Sequence, residues 1–568
     1  MVAEFFKQNK SSIQILSLIL FSFILYFPTV YFDFAWDDGD HIINNPLIKS
    51  EAFPWQIFKE ATHPGNLFRP VFYLTLWLNS LVFGLEPWSF HLVNILLHCL
   101  VVLLVQIFIA NLTGSKSVSL ITAVVFGLSS AQSEVVASVS YRTESLAAFF
   151  VLLTLISAQR VLSQGIVKYR DLVMLGASAI LGMLSKENGI TVILLMPLLW
   201  VFYFDAAKNM NAAPRRLKAS VLLPVALALG CYLYLRSQAV LVSAELSSST
   251  SVFDNVLIGQ DITARIIKAL YFQGIYLFNL LVPHPIFNDY SFANVSATFE
   301  GTPAEISFVA LALGFLILGI ANFKKRNLIG FGVAWYFLAF SLTGNFVNLI
   351  GTHFANRLTY LPSIGLYLII ASIFARLVSH QYLRYLCLAY VVFVSLITSF
   401  QVTAWQNNRA LSEFDLGLGT KSARIYHSLA TVSFREGKLK AAEEYEQKAI
   451  QIHPEFWPSH LFLTKLYLTI EDFDRAEESL RRYRELRPNT TVELESEGWI
   501  KFGRGEFAGA LLIFDRLRSY DSVSDGALLG YYCAAKAVGA DVEVDKLAQA
   551  FSERAKKDPR YIKCSKTH

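Results

Sequence analysis

Apolar residues fall in long blocks along most of the chain. The first, residues 13–32, reads IQILSLILFSFILYFPTVYF; others lie near 90–110, 117–136, 143–160, 171–185, 189–205, 218–236, 304–322, 328–343, 361–378 and 384–403. A helix of about 20 apolar residues crosses a bilayer, and shorter ones suffice in tight bundles. The pattern therefore predicts an all-α, polytopic membrane helix bundle of about eleven spans. A further run, 264–283, can be read either as a crossing or as an interfacial or re-entrant segment. Between the first two blocks, LFRPVFYLTLWLNSLVFG has apolar positions at helical spacing with Arg69 and Asn79 among them, which suits a helix lying in the interface plane.

The pattern changes after residue 420. Of the 93 charged residues, 47 fall in the last 148 positions. This predicts a membrane domain over 1–410, with an outer loop at 33–89, and a water-soluble domain over 421–568. The soluble part repeats every 34 residues. Pro454 and Pro488 keep that step, as do Ala442, Ala476 and Ala510, and Leu439, Phe473 and Phe507. Gly437, Gly505 and Gly539 fit it too, with Glu471 at the missing place. Small residues where helices meet, glycine at the turn and proline at the end match the tetratricopeptide repeat, clear over 423–456 and 457–490 and degenerate beyond. Such a solenoid offers a groove for a polypeptide, or else serves as a structural cap.

Composition agrees with a membrane body, at 54% hydrophobic and only 16% charged. The net charge of +5 is spread along the chain and gives no case for nucleic acid. Cys99, Cys231, Cys387, Cys533 and Cys564 form no CxxC pair, and three of them sit in apolar runs. Lys7 and Lys10 precede the first block, which is longer than a signal-peptide core and lacks a small-x-small site; an uncleaved first span is expected.

Charge also orients the bundle. Arg160/Lys168/Arg170, Lys208/Arg215/Arg216/Lys218, Lys324/Lys325/Arg326 and Arg376/Arg384 all lie on the cytoplasmic side if 264–283 does not cross. The remaining connections, 33–89, 134–144, 185–188, 284–303 and 343–360, then share the outer face. They carry Asp37, Asp38 and Arg69; Glu134, Arg142 and Glu144; Lys186 and Glu187; His284, Asp289 and Tyr290; and His353, Arg357 and Tyr360.

Any one of these could be an ordinary interfacial charge, but acids and bases alternate around one face. Such a mixture suits a phosphate ester: Arg and Lys hold the phosphate while a carboxylate takes the proton of an attacking group. Adjacent Asp37 and Asp38 at a membrane rim repel unless a proton, a cation or a basic partner shares the site. His91 and His98, seven apart on one helix face, read as packing or hydrogen-bonding groups rather than metal ligands. A Gly-rich phosphate loop, a Ser-His-Asp arrangement and an HExxH motif are all absent from the sequence.

The segments WDDGDHIINNP, FRPVFYLTLWLNSLVFGLEPWSFHLVNILLH, SEVVASVSYRTESLAA, LSKENGIT, NDYS and ANRLTYLPSIG, in this order and followed by the repeats, resemble the transmembrane-and-tetratricopeptide-repeat (TMTC-like) family of protein O-mannosyltransferases, in a short, bacterial-type form. The resemblance implies a C-type (GT-C) membrane glycosyltransferase taking a sugar from polyprenyl phosphate on the outer side of the membrane. It implies an acid of the first outer loop, here Asp37 or Asp38, as base or metal ligand. Two departures stand out: Ser130-Ala131 replace His-Pro before Glu134, and Asn356 replaces a glutamate before Arg357.

The expected function is transfer of a sugar, possibly mannose, to Ser or Thr hydroxyls of exported proteins, with inversion. Asp38, slightly ahead of Asp37, would be the base. Arg69, Arg142, Lys186 and Arg357 would bind the donor phosphate. Glu134, Glu144, Glu187, Asp289, Tyr290 and Tyr360 would support them or place the acceptor. A divalent cation, Mg or Mn, is a possible addition at Asp37 and Asp38. The bilayer, the polyprenyl-linked sugar and an acceptor polypeptide in the repeat groove are the expected partners. The expected location is a bacterial inner membrane, with active face and repeats on the periplasmic side. The rivals are a glycan or lipid acceptor on the same fold, and a non-enzymatic scaffold for envelope assembly.

Overall fold

The computed structural model describes residues 12–60, 67–206, 215–242, 253–291, 298–346, 348–377, 381–520, 524–539 and 564. Those residues form helices and turns, with no strand among them. The chain divides into two compact units, Met1–Thr420 and Lys421–His568.

In the first unit each of the eleven expected runs is helical. Among the described residues six helices are long and apolar enough to span a bilayer: Ile13–Tyr31, Pro87–Thr113, Arg142–Gln164, Ala219–Leu241, Pro303–Phe323 and Leu388–Gln406. Tyr169–Ser185, Val192–Ala206, Leu328–Phe340 and Ser363–Leu377 are shorter. The run 117–136 is not one straight helix. Lys116–Leu128 and Ser130–Ala137 meet at 55°, because Ser129 is extended at ψ 134° and its hydroxyl caps the next turn through Ala131 N. Thr398 and Tyr367 complete the break, donating to Leu128 O at 2.6 Å and to Ser129 Oγ at 2.6 Å. The bend carries Glu134 out of line with the preceding helix.

Residues Ile262–Leu281 form one continuous helix, started by Asp261 accepting from Thr263 N and Ala264 N. It is not among the six. Its Lys268 is buried against Glu305 at 2.8 Å, the capping glutamate of the adjoining Pro303–Phe323. The amphipathic stretch becomes the helix Pro70–Phe83, closed by Gly84 at φ 67°.

Pro87–Thr113 and Arg142–Gln164 pack against each other at the centre. Val101 through Ile109 are all buried, as expected for a helix apolar on every side. Pro303–Phe323 is the opposite case: 11% of its apolar window is buried, and Ile306, Leu313, Ile317 and Ile320 face outward. Outward-facing apolar residues on a helix whose backbone bonds are satisfied internally are what lipid contact requires.

The second unit is a series of helix pairs. Ala423–Arg435 pairs with Leu439–Ile452, Trp457–Thr469 with Phe473–Leu486, and Thr491–Gly503 with Phe507–Arg518; Asp525–Ala537 follows. The second helices of the pairs start at the 34-residue step read from the sequence, and Ala442, Ala476 and Ala510 are fully buried where the helices approach. The turn between partners needs a left-handed residue. Gly437, Gly505 and Gly539 supply it at φ 74°, 82° and 66°, and Glu471 is forced into it at φ 60°. Cys533 and Cys564 form a disulfide, a link that sequence spacing did not announce.

The strained turn has a measurable consequence. Glu471→Gly should stabilise the repeat unit by roughly 1 kcal/mol, because a side chain disfavours this conformation by about that amount. Thermal unfolding of the full chain, followed by a probe in the repeats, checks it.

Candidate active site

The loop after the first helix is fixed at both ends. Asp33 N donates to Gln406 O at 2.9 Å, and Trp36 N donates to Asn408 Oδ1 at 2.7 Å. Trp36 takes a left-handed conformation, φ 56°. For a bulky residue this costs energy that its surroundings must offset, a common state at functional sites.

Trp36 sets the two following acids apart. Asp38 turns inward and is wholly buried. Its carboxylate accepts from Ala35 N at 3.2 Å, Ser138 Oγ at 3.2 Å, Val139 N at 3.4 Å, Ser140 N at 2.7 Å and Ser140 Oγ at 2.5 Å. Burial pushes its carboxyl up to about 6, with the bonds from Ser140, Ala35 and Val139 opposing that rise. Asp37 stays half-buried and accepts from Tyr141 OH at 3.0 Å. One short segment, 138–141, therefore binds both acids.

Four connections between the helices meet near Asp37. The Arg357 guanidinium lies 4.2 Å above the Tyr141 ring, and its Nη1 and backbone N both donate to Glu134, at 2.5 and 2.8 Å. Burial alone would lower the Arg357 pKa, but Tyr141, Glu134 and Asp37 outweigh it and hold the cation well above the ordinary arginine range. Lys186 pairs with Glu144, whose other oxygen accepts from Asn188 Nδ2 at 3.3 Å. Arg69 donates to Glu187 through Nε at 3.1 Å and Nη2 at 2.8 Å. Lys186 lies within electrostatic reach of both Arg69 and Arg357, so the three pairs form one cluster.

Exposure separates the cations. The side chains of Arg69 and Arg357 are 17% and 20% exposed, whereas that of Lys186 is 9% exposed. Arg142 is fully enclosed. Its guanidinium donates to Asn94 Oδ1 at 2.7 Å, Phe90 O at 3.0 Å, Asn79 Oδ1 at 3.3 Å and Thr75 O at 3.4 Å. It ties the helix Pro70–Phe83 to Pro87–Thr113 and stands apart from the open cations.

Tyr360 also points into the bundle, sharing a 2.7 Å hydrogen bond with His98 Nδ1; the other His98 nitrogen faces Gly127 O. His91 contacts Asp33 O. Both histidines are hydrogen-bonded packing groups. Asp289 is buried and accepts from Ser291 Oγ at 2.5 Å. Tyr290 packs against Phe354, ring centroids 4.3 Å apart and tilted by 53°, and accepts from Asn279 Nδ2 at 3.4 Å.

Among the described residues no group of three or more His, Cys, Asp or Glu is arranged to hold a metal ion. Asp38, with both oxygens filled by N–H and O–H donors, does not fit a cation. Two residues escaped the sequence reading, Asn408 and Asp415, which fasten loops of this site from the segment after the last long helix. A polar helix before the repeats was the available signal.

Fold and site together define an all-α integral membrane protein that gathers arginines, a lysine and carboxylates from distant loops around a half-buried aspartate. Along most of its length it is similar to protein O-mannosyl-transferases of the TMTC group. A Caenorhabditis elegans protein O-mannosyl-transferase is 24% identical over 461 residues, covering 78% of this chain and 63% of that protein. Mouse protein O-mannosyl-transferase TMTC3 is 22% identical over 82% of this chain and 54% of its own length. Human TMTC1 is 35% identical over 28% of this chain and 20% of its own. The chain spans between about half and two thirds of the first two relatives. No protein-family model matches it. An archaeal oligosaccharyltransferase, AglB from Archaeoglobus fulgidus in complex with an inhibitory peptide and a dolichol-phosphate, superposes with a TM-score of 0.35 at 16% identity, over 72% of this chain and 56% of that one. That overlap is too loose to bear on function.

Two outcomes follow from the buried groups. Arg142→Met removes the guanidinium donor from the buried side-chain oxygens of Asn79 and Asn94 and should destabilise the protein by roughly 3 kcal/mol, read as a lower unfolding temperature in detergent. Asp38 has a folded pKa raised from 3.8 to about 6, so its contribution to stability is complete below 3.8 and lost as pH rises through about 6. The stability gap between the wild type and Asp38→Asn should therefore narrow across that range in a pH series of unfolding curves.

Proposed function

We propose that this chain is a membrane glycosyltransferase that moves a sugar, mannose by likeness to its relatives, from a polyprenyl phosphate to a Ser or Thr hydroxyl of an exported protein. The observation that carries the reading is Asp37. It is half-buried, hydrogen-bonded to Tyr141, and next to Arg357, while its neighbour Asp38 is enclosed by donors. The base is therefore Asp37, in place of the slight preference for Asp38 in the sequence, and Asp38 is the clamp that holds it.

Asp37 accepts the proton of the acceptor hydroxyl as that oxygen attacks the anomeric carbon. The bond from that carbon to the phosphate oxygen breaks on the opposite face, and its electron pair leaves with the phosphate. One displacement inverts the anomeric centre. The charge gathering on the phosphate is met by Arg69 and Arg357, the two partly exposed cations of the cluster. Glu187 and Glu134 hold these arginines in place meanwhile, and Lys186 with Glu144 keeps the deeper wall neutral. Arg142 shapes the floor. A divalent cation, if one takes part, has Asp37 as its available ligand.

The loop charges favour an outward-facing site. The Cys533–Cys564 disulfide supports a repeat unit outside the cytoplasm, since such bonds persist in oxidising compartments. In a bacterial cell that is the periplasmic face of the inner membrane. The repeats then present their groove to acceptor polypeptides, as stacked helix pairs commonly do.

In the full chain, Asp37→Asn should lower sugar transfer from a polyprenyl-phosphate donor to a Ser/Thr peptide by about a hundredfold or more, with an unchanged unfolding temperature. Cells producing only this variant should lose hydroxyl-linked hexose from exported peptides in mass spectra. Retention of those glycopeptides would reject the reading.

A further inference from the structure

The acidic loops of the site are held from an unexpected place. The short helix Asn408–Gly417 follows the last long helix, and the chain runs from it into the repeats at Ala423. Two of its polar side chains, Asn408 and Asp415, are seven residues apart, two helical turns, and so share one face about 10 Å apart. Each binds a different loop.

Asp415 is wholly buried. Its Oδ1 accepts from Asn288 N at 3.0 Å and Asn288 Nδ2 at 2.8 Å, and its Oδ2 from Asp289 N at 2.9 Å. Gln401 adds a second hold, donating to Ile286 O at 2.8 Å and accepting from Ile286 N at 2.7 Å. On its far side this loop reaches the site: Asn356 Nδ2 donates to Phe287 O at 3.2 Å, and Asn356 precedes Arg357. Asn408 binds Trp36 N, one residue before Asp37.

We propose that this helix is a bracket that sets the Asp37 loop and the 286–290 loop in register, with Asp415 and Asn408 as positioning residues. Two N–H groups of adjacent residues and a side-chain amide converge on Asp415, which only a carboxylate, with acceptors on both oxygens, can satisfy. Burial pushes its carboxyl up to about 7, against the bonds from Asn288 and Asp289. Retaining an acid there at that cost is consistent with a requirement for both oxygens. Asn408 supplies the one acceptor the strained Trp36 turn needs. Neither residue touches the reacting groups.

The catalytic part of this inference rests on the function proposed above, whereas the mechanical part does not. Hydrogen–deuterium exchange on the purified full chain in detergent reads the mechanical part. Asp415→Asn should speed exchange in the 284–291 peptide by about tenfold and leave 33–41 unchanged, and Asn408→Ala should do the reverse. Unaltered exchange in 284–291 overturns the bracket whether or not the protein transfers sugar. Should Asp415→Asn fail to accumulate, Asn288→Ala removes the 2.8 Å bond to Asp415 and the 3.3 Å bond from Gln401, keeps both backbone donors to Asp415, and gives the same change on a smaller scale.

Transfer assays read the catalytic part. Each variant should lose roughly tenfold in kcat, with KM for the polyprenyl-phosphate sugar within about twofold of wild type, since a displaced reacting group slows chemistry without removing donor contacts. Faster exchange with unchanged kcat overturns the positioning role. A wild-type chain that transfers no sugar overturns the proposed function and this catalytic part, while the exchange result still decides the bracket.

Discussion

Inside an apolar bundle every charged or polar group has to find partners, because an unbonded one costs several times what an exposed one does. That constraint organises the polar end of the membrane unit, where the loops of the site lie. Asp38 collects donors from residues 35 and 138–140, Asp415 collects donors from 288–289, and Arg142 spans acceptors on two helices. Each joins segments far apart in the chain. The loops of the site are irregular, yet their backbone N–H groups end on buried carboxylates, and this keeps irregular backbone in one shape.

Fastening the loops in this way leaves Asp37 as the partly exposed acid of the pair, with Tyr141 and Arg357 beside it. The cations divide by the same logic. Arg142 is surrounded by neutral oxygens and acts as a strut, while Arg69 and Arg357 are oriented by glutamates yet remain partly open. A glutamate on each arginine fixes its direction, so that each cation is oriented in advance and needs little reorganisation to meet an anion. The repeat unit follows simpler rules: alanines at close approach and left-handed turns at a fixed step, with Glu471 tolerated where glycine is the natural choice.

Much of this was legible in the sequence. The apolar runs became helices because hydropathy and helical backbone bonding act locally, and the 34-residue period reappeared in the helix starts. The interruption at Ser129 was not legible, since the residues that stabilise it, Tyr367 and Thr398, lie more than two hundred positions away. The same holds for the Cys533–Cys564 bond, which spacing alone does not specify.

For the site, the order of residues was enough to show which residue types lie in the loops between the apolar runs and that acids and bases alternate among them. Composition and hydropathy suffice for that, because they decide only where a residue can be solvated. Which of two adjacent aspartates faces inward, which arginine is a strut and which helix holds the loops were decided by tertiary structure. Those choices depend on donors and acceptors brought together from residues 33–41, 69–94, 134–144, 186–188, 284–291, 353–360 and 404–415. A local pattern carries no information about partners that meet only after the chain has folded.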